Sequence, residues 1–217
     1  MALDVSDLAD AEALAGSLVG LVGHLKVGLE LFSANGPAAV TTIRRYAPVF
    51  LDLKLHDIPN TVERAARNCA RLGPAMLTVH ALGGEAMIAA AVRGSERGAE
   101  EGEHPTPAVI AVTVLSSLSG EELASPASLA FEAKAAGATG AVVSGDDVRD
   151  VRAVCGDDHR LVVPGIRPAG SNGDDQVRVL TPAAAIERGA DYLVVGRPIT
   201  ESSDPAGVAR RILLESA

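Results

Sequence analysis

The sequence predicts a single (β/α)₈ barrel domain, a TIM barrel with a parallel eight-stranded core, spanning residues 1–217. Short apolar runs alternate strictly with amphipathic helical stretches from one end of the chain to the other, which favours a barrel over an open doubly wound sheet. A length of 217 residues is usual for such a barrel, and no linker-like stretch separates two domains. Hydrophobic residues make up 47% of the chain and aromatic residues only 2%. The core must therefore consist of Val, Leu, Ile and Ala, as suits buried parallel strands.

The apolar runs predict strands near residues 1–4, 24–27, 49–54, 76–80, 109–114, 140–143, 160–163 and 192–195. The amphipathic stretches predict helices near residues 7–18, 37–46, 61–72, 85–93, 128–136, 146–154, 182–188 and 205–214. The first strand has only Met1, Ala2 and Leu3 before the polar Asp4, which is short for a barrel strand. Either the barrel tolerates a stub or the chain is numbered from a late start codon. The segment 94–107, rich in Gly, Glu and Pro, is predicted to be a surface loop on the helix-to-strand side.

Composition and charge exclude several classes of protein. A net charge of −9 argues against nucleic acid as a partner, because phosphate backbones need a concentrated basic surface. Cys69 and Cys155 stand alone, with neither metal-type spacing nor a disulfide pattern, which suits a reducing cytoplasm. No apolar run approaches the length of a transmembrane helix, and the N-terminus has no signal-peptide pattern. We therefore expect a cytoplasmic protein that binds neither membranes nor nucleic acid.

The run Leu51-Asp52-Leu53-Lys54-Leu55-His56-Asp57 is the most informative segment of the sequence. Strand side chains alternate between faces, so Asp52 and Lys54 point the same way and the flanking leucines point the other. Inward-facing charges are costly unless they pair or take part in chemistry. Asp57 follows three residues later, where a helix begins, and an ammonium between two carboxylates keeps its proton. The pattern predicts a fixed positive charge that can also donate a proton, with a structural ion triplet as the alternative.

Active sites of parallel barrels lie at the carboxyl ends of the strands and in the loops that follow them. The polar residues predicted at that end are Asp4, Lys26, Asp52, Lys54, Asp57, His80, Ser116, Arg167, Gln176 and Arg197. Because the first two strands are neighbours, we expect Asp4 and Lys26 to lie close together. A carboxylate and an ammonium at that spacing suit sugar hydroxyls, although a plain salt bridge would use the same pair.

The last two strands predict a phosphate site. The loop 168–176 after the seventh strand is long for a β–α connection, and such loops are usually lids or binding loops. Gly196 and Arg197 follow the eighth strand, where a glycine lets backbone N–H groups approach an anion and an arginine can bind phosphate with two hydrogen bonds. A tight turn with a solvated arginine is the alternative. Placed with Arg167 and Gln176 at one rim, the phosphate interpretation is favoured. No Asp, Glu and His cluster has metal-ligand spacing, so no metal is expected.

Taken together, these motifs make the chain resemble the orotidine 5′-monophosphate decarboxylase family along nearly its whole length. The matching segments are Ala2-Leu3-Asp4, Lys26-Val27-Gly28-Leu29-Glu30-Leu31-Phe32, Phe50-Leu51-Asp52-Leu53-Lys54-Leu55-His56-Asp57-Ile58-Pro59-Asn60-Thr61, Val163-Pro164-Gly165-Ile166-Arg167 and Val195-Gly196-Arg197-Pro198-Ile199-Thr200. The resemblance implies decarboxylation of orotidine 5′-monophosphate to uridine 5′-monophosphate, without a cofactor, in pyrimidine nucleotide synthesis.

The resemblance also implies a role for each matching residue. Lys54 is the proton donor, Asp52 lies against the substrate carboxylate, and Asp57 from the other subunit of a homodimer orients Lys54. Asp4 and Lys26 contact the ribose, and Thr61 makes a contact across the dimer. Ser116 contacts the pyrimidine edge, and Arg167, Gln176, Gly196 and Arg197 form the phosphate end. The loop 168–176 departs from the family pattern at Ala169, where some members carry a polar residue.

Two other functions stay open at this level. A magnesium-dependent sugar-phosphate decarboxylase or aldolase of the same superfamily shares the Asp-x-Lys-x-x-Asp string but needs a carboxylate near the metal, and Glu30 is better placed for the helix that follows. A non-catalytic phosphate-binding barrel would have no reason to hold the full set of Asp52, Lys54 and Asp57.

Overall fold

The computed structural model describes residues 1–114, 124–168 and 180–216. Its centre is a sheet of seven parallel strands in chain order, so each strand pairs with the next one along the sequence. The strands are β1 Leu25–Gly28, β2 Val49–Leu55, β3 Met76–His80, β4 Ala108–Val112, β5 Gly140–Val142, β6 Arg160–Val163 and β7 Tyr192–Leu193. This parallel α/β arrangement confirms the predicted fold class in its main feature, and seven of the predicted strands are present.

The predicted first strand, at residues 1–4, is not formed as a strand. Ala2 makes an isolated parallel bridge to Lys26 of β1, and its N–H donates to the carbonyl of Val195, beyond β7, at 2.7 Å. The segment therefore touches both edges of the sheet, which curls round to meet it.

Helices pack around the outside of the sheet. They are α1 Leu8–Ser17, α2 Leu29–Asn35, α3 Pro37–Ile43, α4 Pro59–Ala70, α5 Gly84–Glu101, α6 Pro126–Ala135, α7 Val148–Cys155, α8 Pro182–Glu187, α9 Arg197–Thr200 and α10 Pro205–Glu215. The sequence does not predict the short helices α2, which follows β1 directly, and α9, which begins at Arg197 shortly after β7 ends at Leu193.

Side-chain alternation along the strands divides the core into two parts. Leu51 of β2 and Leu77 of β3 point outward and join the main apolar cluster with the helices. Phe50, Met76, Ile110 and Val162 point inward and form a second cluster inside the curled sheet. Because side chains two residues apart share a face, the positions that follow on the inner face are Asp52 in β2 and Thr78 in β3. The inner apolar cluster thus lies directly below the polar side chains at the carboxyl end of the sheet.

The predicted surface loop at 94–107 is wrong over its first half, because α5 continues to Glu101. Gly94 and Gly98 lie against the backbone of α4, where a β-carbon on either would overlap the carbonyl oxygen of Glu63 or Arg67. Glycines four residues apart lie on one helix face. The two glycines therefore permit close packing of α4 against α5. They do not mark a loop, as their presence in the sequence suggested.

Candidate active site

A cavity of about 260 Å³ opens at the carboxyl ends of the strands. Charged side chains reach it from two sides. Asp52 and Lys54 of β2 and Lys26 of β1 lie on one side, whereas Arg167 and Arg197 follow β6 and β7 on the other. Apolar side chains, among them Phe50 and Val112, complete the lining.

Alternating charges form a chain across the first two strands. Nζ of Lys26 lies 3.2 Å from Oδ1 of Asp4 and 3.6 Å from Oδ2 of Asp52. Nζ of Lys54 in turn lies 2.9 Å from both carboxylate oxygens of Asp52. The side chain of Asp52 is only 12% exposed, so its charge depends on the two ammonium groups that flank it. The predicted proximity of Asp4 to Lys26, and of Asp52 to Lys54, is present in the fold.

The backbone of β2 is irregular at Lys54. Leu51 pairs with Leu77 of β3, but the next pair along is Leu55 with Val79, so four steps along β2 match two along β3. Lys54 has a φ of 52°, in the left-handed region that costs a non-glycine residue energy. Its N–H donates to the side-chain oxygen of Thr78 at 2.8 Å. The sequence analysis missed Thr78, whose signal is a single hydroxyl among the apolar residues 76–79.

Two glycines leave space for these charges. A β-carbon on Gly28 would lie 2.8 Å from Nζ of Lys26, and one on Gly196 would lie 3.3 Å from Oδ2 of Asp4. Gly196 therefore lies beside the Asp4 carboxylate, at the junction where residues 1–3 meet the far edge of the sheet. The sequence predicts that Gly196 lets backbone N–H groups approach an anion. In the structure, the group nearest to a β-carbon at this position would be the Asp4 carboxylate.

Arg167 is buried at the opposite side of the cavity, with 6% of its surface exposed. Its Nη1 donates a long 3.4 Å hydrogen bond to the carbonyl of Ile166. Its Nη2 is buried, and no group in residues 1–114, 124–168 and 180–216 accepts a hydrogen bond from it. A buried guanidinium nitrogen that lacks an acceptor among these residues is suited to bind an anionic ligand. Arg197 begins α9 and lines the same cavity.

Ser116 and Gln176, expected at the pyrimidine edge and the phosphate end, lie outside the described residues, as does Ala169. Ser144, a second polar residue that the sequence analysis missed, lines the cavity after β5 and donates to Oδ2 of Asp147 at 2.7 Å.

Asp57 and Thr61 stand apart from the cavity of their own chain. Both are exposed, and Oδ1 of Asp57 accepts a hydrogen bond from the N–H of Ile58 at 2.6 Å. Among the described contacts, no ion pair or hydrogen bond joins Asp57 to Lys54. Within one chain, Asp52 is the carboxylate that holds Lys54.

Two histidines border the lysine. The rings of His56 and His80 stack with centroids 5.3 Å apart. Burial lowers the pKa of His80, and the neighbouring His56 and Lys54 lower it further. His80 is thereby kept neutral next to the ammonium, and its Nδ1 accepts from the N–H of Leu82 at 3.4 Å.

Within the described ranges, no three His, Cys, Asp or Glu side chains come together as a metal site. None of the described helices combines the length and apolar character that crossing a membrane requires.

Comparison with known proteins places the chain in a family. The model of the orotidine 5'-phosphate decarboxylase / HUMPS family matches residues 1–212. An orotidine 5'-phosphate decarboxylase of Anaeromyxobacter sp. (strain K) is 52% identical, over 97% of this chain and 94% of the relative. One from Moorella thermoacetica is 48% identical, over 99% of this chain and 90% of the relative. The crystal structure of orotidine 5'-phosphate decarboxylase from Lactobacillus acidophilus superposes with a TM-score of 0.85 at 38% identity, covering 99% of this chain and 96% of that one. The chain therefore belongs to the orotidine 5'-phosphate decarboxylase / HUMPS family.

Proposed function

We propose that this chain is a carboxy-lyase that converts orotidine 5′-monophosphate to uridine 5′-monophosphate and carbon dioxide in pyrimidine nucleotide synthesis. Family membership and the names of relatives about half identical in sequence support this activity. The observation that carries it is the chain of alternating charges from Asp4 through Lys26 and Asp52 to Lys54, facing a buried arginine across one cavity.

The reaction needs a cation at the carbon that loses carbon dioxide. When the bond to the carboxylate breaks, its electron pair stays in the plane of the ring, where no adjacent carbonyl delocalises it. An ammonium held at that carbon stabilises the charge and then donates its proton to the same carbon. Lys54 is our candidate for both steps. Asp52 fixes the ammonium and lies beside the position proposed for the substrate carboxylate.

The remaining polar groups bind the parts of the substrate that do not react. Lys26 and Asp4 present an ammonium and a carboxylate to the ribose hydroxyls. Arg167 and Arg197, together with Gln176, bind the phosphate, and Ser116 contacts the pyrimidine edge. Binding energy from the phosphate is expressed in the transition state if it helps to close the site around the substrate.

The active assembly in this proposal is a homodimer with shared sites, in which Asp57 and Thr61 complete the site of the other subunit. Residues 56–61 form an unbroken exposed strip at the carboxyl end of β2. Ile58 within it is 65% exposed, and Leu29 and Leu82, after the adjacent strands β1 and β3, are 55% and 42% exposed. Exposed apolar side chains after three neighbouring strands, together with the exposed Asp57, suit contact with a second copy.

We also propose that residues 1–3 join the two edges of the seven-stranded sheet and so complete a single closed barrel domain. The hydrogen bonds of Ala2 to Val195 and of the Lys26 N–H to the carbonyl of Met1, each 2.7 Å, support it. Cytoplasmic location remains a prediction from the two unpaired cysteines.

The experiment that tests the activity follows loss of the ultraviolet absorbance of orotidine 5′-monophosphate with a chelator present. Undiminished turnover in chelator supports the proposal. Activity that vanishes with chelator and returns with magnesium would assign the chain to the metal-dependent sugar-phosphate lyases. Glu30, the carboxylate considered for that alternative, lies in the first turn of α2 and accepts from Oγ of Ser6 at 2.7 Å. Binding of the nucleotide without any turnover would leave only the phosphate-binding barrel.

A further inference from the structure

Thr78 lies at the centre of β3 with none of its surface exposed. Its hydroxyl makes two hydrogen bonds to β2, one with the backbone N–H of Lys54 at 2.8 Å and one with Oδ1 of Asp52 at 3.0 Å. It does not line the cavity, so any influence on bound substrate passes through these two residues.

The direction of both hydrogen bonds follows from the chemistry of the groups. A backbone N–H can only donate, and an ionised carboxylate can only accept. The hydroxyl therefore accepts from Lys54 and gives its proton to Asp52. A hydroxyl has one proton and two lone pairs, so Thr78 can do both at once. Serine keeps the same hydroxyl, whereas valine keeps the shape of threonine and has no polar atom.

The irregularity of β2 makes this link necessary. Four steps of β2 match two of β3 around Lys54, so its N–H has left the ladder of backbone hydrogen bonds between the strands. The same residue has a left-handed φ of 52°. Such a conformation persists only where the surroundings hold it, and a buried N–H without a partner costs free energy. The Thr78 hydroxyl supplies the partner and ties the strained backbone to the carboxylate that binds the Lys54 ammonium.

We propose that Thr78 is a positioning residue for the decarboxylation, because its hydroxyl holds the backbone of Lys54 and the carboxylate of Asp52 in the geometry that presents the ammonium to the substrate. This inference rests on the proposed function and adds to it a residue that does not touch the substrate. Since Thr78 lies behind the cavity wall, its loss affects the chemical step more than substrate binding.

The test compares Thr78→Val, which keeps the shape and removes the hydroxyl, with Thr78→Ser, which keeps the hydroxyl. Thr113→Val is the matched control, because Thr113 is also fully buried and its hydroxyl donates to a backbone carbonyl, that of Val142, at 2.9 Å. We expect Thr78→Val to lower kcat about 10- to 100-fold, as misplacement of a reacting group does. KM and the affinity for uridine 5′-monophosphate should change little. Thr78→Ser should recover most of the activity, and Thr113→Val should retain nearly all of it.

Several outcomes would overturn the inference. They are a kcat for Thr78→Val near that of the parent chain, a loss as large in Thr113→Val, or a loss as large in Thr78→Ser as in Thr78→Val. A rise in KM with unchanged kcat would overturn it as well. If thermal melting shows that Thr78→Val does not fold, Thr78→Ala takes its place and the comparison with Thr78→Ser decides. A parent chain without decarboxylase activity contradicts the proposed function itself, whereas an active parent with an equally active Thr78→Val contradicts only the role of Thr78.

Discussion

Gly28 lies so close to Lys26 that a methyl group in place of its hydrogen would come 2.8 Å from Nζ and 3.6 Å from Oδ1 of Asp4. The φ of Gly28 is −93°, an ordinary value for any residue, so space is the reason that glycine stands there. The Lys26 ammonium occupies the volume that a side chain would need.

We therefore expect Gly28→Ala to displace the Lys26 ammonium and lower kcat/KM for orotidine 5′-monophosphate about 10-fold or more. Gly23→Ala is the control, because a β-carbon at Gly23 would meet nothing within 4 Å. Steady-state kinetics and a thermal melt of both variants check the prediction. Equal activity of the two variants would show that Lys26 tolerates the displacement.

The shared-site model predicts complementation between two inactive chains. Lys54→Ala and Asp57→Ala should each be nearly inactive. In a mixed dimer, one site contains both substitutions, and the other combines the intact Lys54 of one chain with the intact Asp57 of its partner. Random exchange of equal amounts makes about half the dimers mixed, so activity should rise toward roughly a quarter of the parent value. If labelled subunits exchange and activity does not rise, Asp57 acts within its own chain and the model is wrong.

Removal of the Arg197 guanidinium should reduce turnover only when the substrate carries a phosphate. Hydrogen bonds to charged groups are worth enough that Arg197→Ala should lower kcat/KM for the nucleotide about 10- to 100-fold. Turnover of the phosphate-free nucleoside should be nearly unchanged. Arg210→Ala, an exposed arginine of α10, serves as the control. A similar loss with both substrates would identify Arg197 as structural.

Burial of His159 predicts acid sensitivity of the fold. Burial is the largest of the effects that lower its pKa from 6.5 to about 4, so the folded chain keeps this histidine neutral where the unfolded chain takes up a proton. The unfolded state thus binds more protons as pH falls below 6.5, and stability present above that pH is lost on the way down to about 4. Between pH 7 and pH 5 the free energy of unfolding should fall by about 2 kcal/mol from this group.

Urea unfolding of the parent chain and of His159→Phe at both pH values measures that contribution. The variant should lose less stability on acidification, although His24 and His80, whose pKa values burial also lowers, keep part of the dependence. An identical pH dependence in the two proteins would show that His159 is protonated without cost.

The close packing of α4 and α5 reverses the usual effect of replacing a helical glycine. Alanine normally raises helix stability by about 1 kcal/mol, but a β-carbon at Gly98 would overlap the carbonyl of Arg67. We expect Gly98→Ala to lower the free energy of unfolding by about 1–3 kcal/mol. Gly16→Ala in α1 is the matched control, since its β-carbon would lie 3.7 Å from the Tyr46 ring, an ordinary contact. Chemical denaturation distinguishes them, and equal stability would show that the helices separate at little cost.

Local pattern alone was enough to predict the parallel α/β fold and the charged end of the sheet. Strand periodicity predicts that Asp52 and Lys54 share a face, and the order of the chain predicts that Asp4 lies near Lys26. In the structure both pairs are in contact, the second through the parallel bridge from Ala2 to Lys26. The cavity between these groups and Arg167 follows from the same rule that the carboxyl ends of parallel strands meet.

Contacts between elements lay beyond such patterns. Gly94 and Gly98 suggest a loop by composition, yet they lie in α5, where the backbone of α4 leaves no space for a β-carbon. Residues 1–4 are predicted to be a strand, yet they form one isolated bridge to Lys26, and the N–H of Ala2 bonds to Val195 on the other side. The left-handed Lys54 and its bond to Thr78 arise from a mismatch between the lengths of two paired strands. Periodicity predicts the structure of one helix or strand at a time. Each of these features depends on how two elements pack and form hydrogen bonds with each other, which periodicity does not describe.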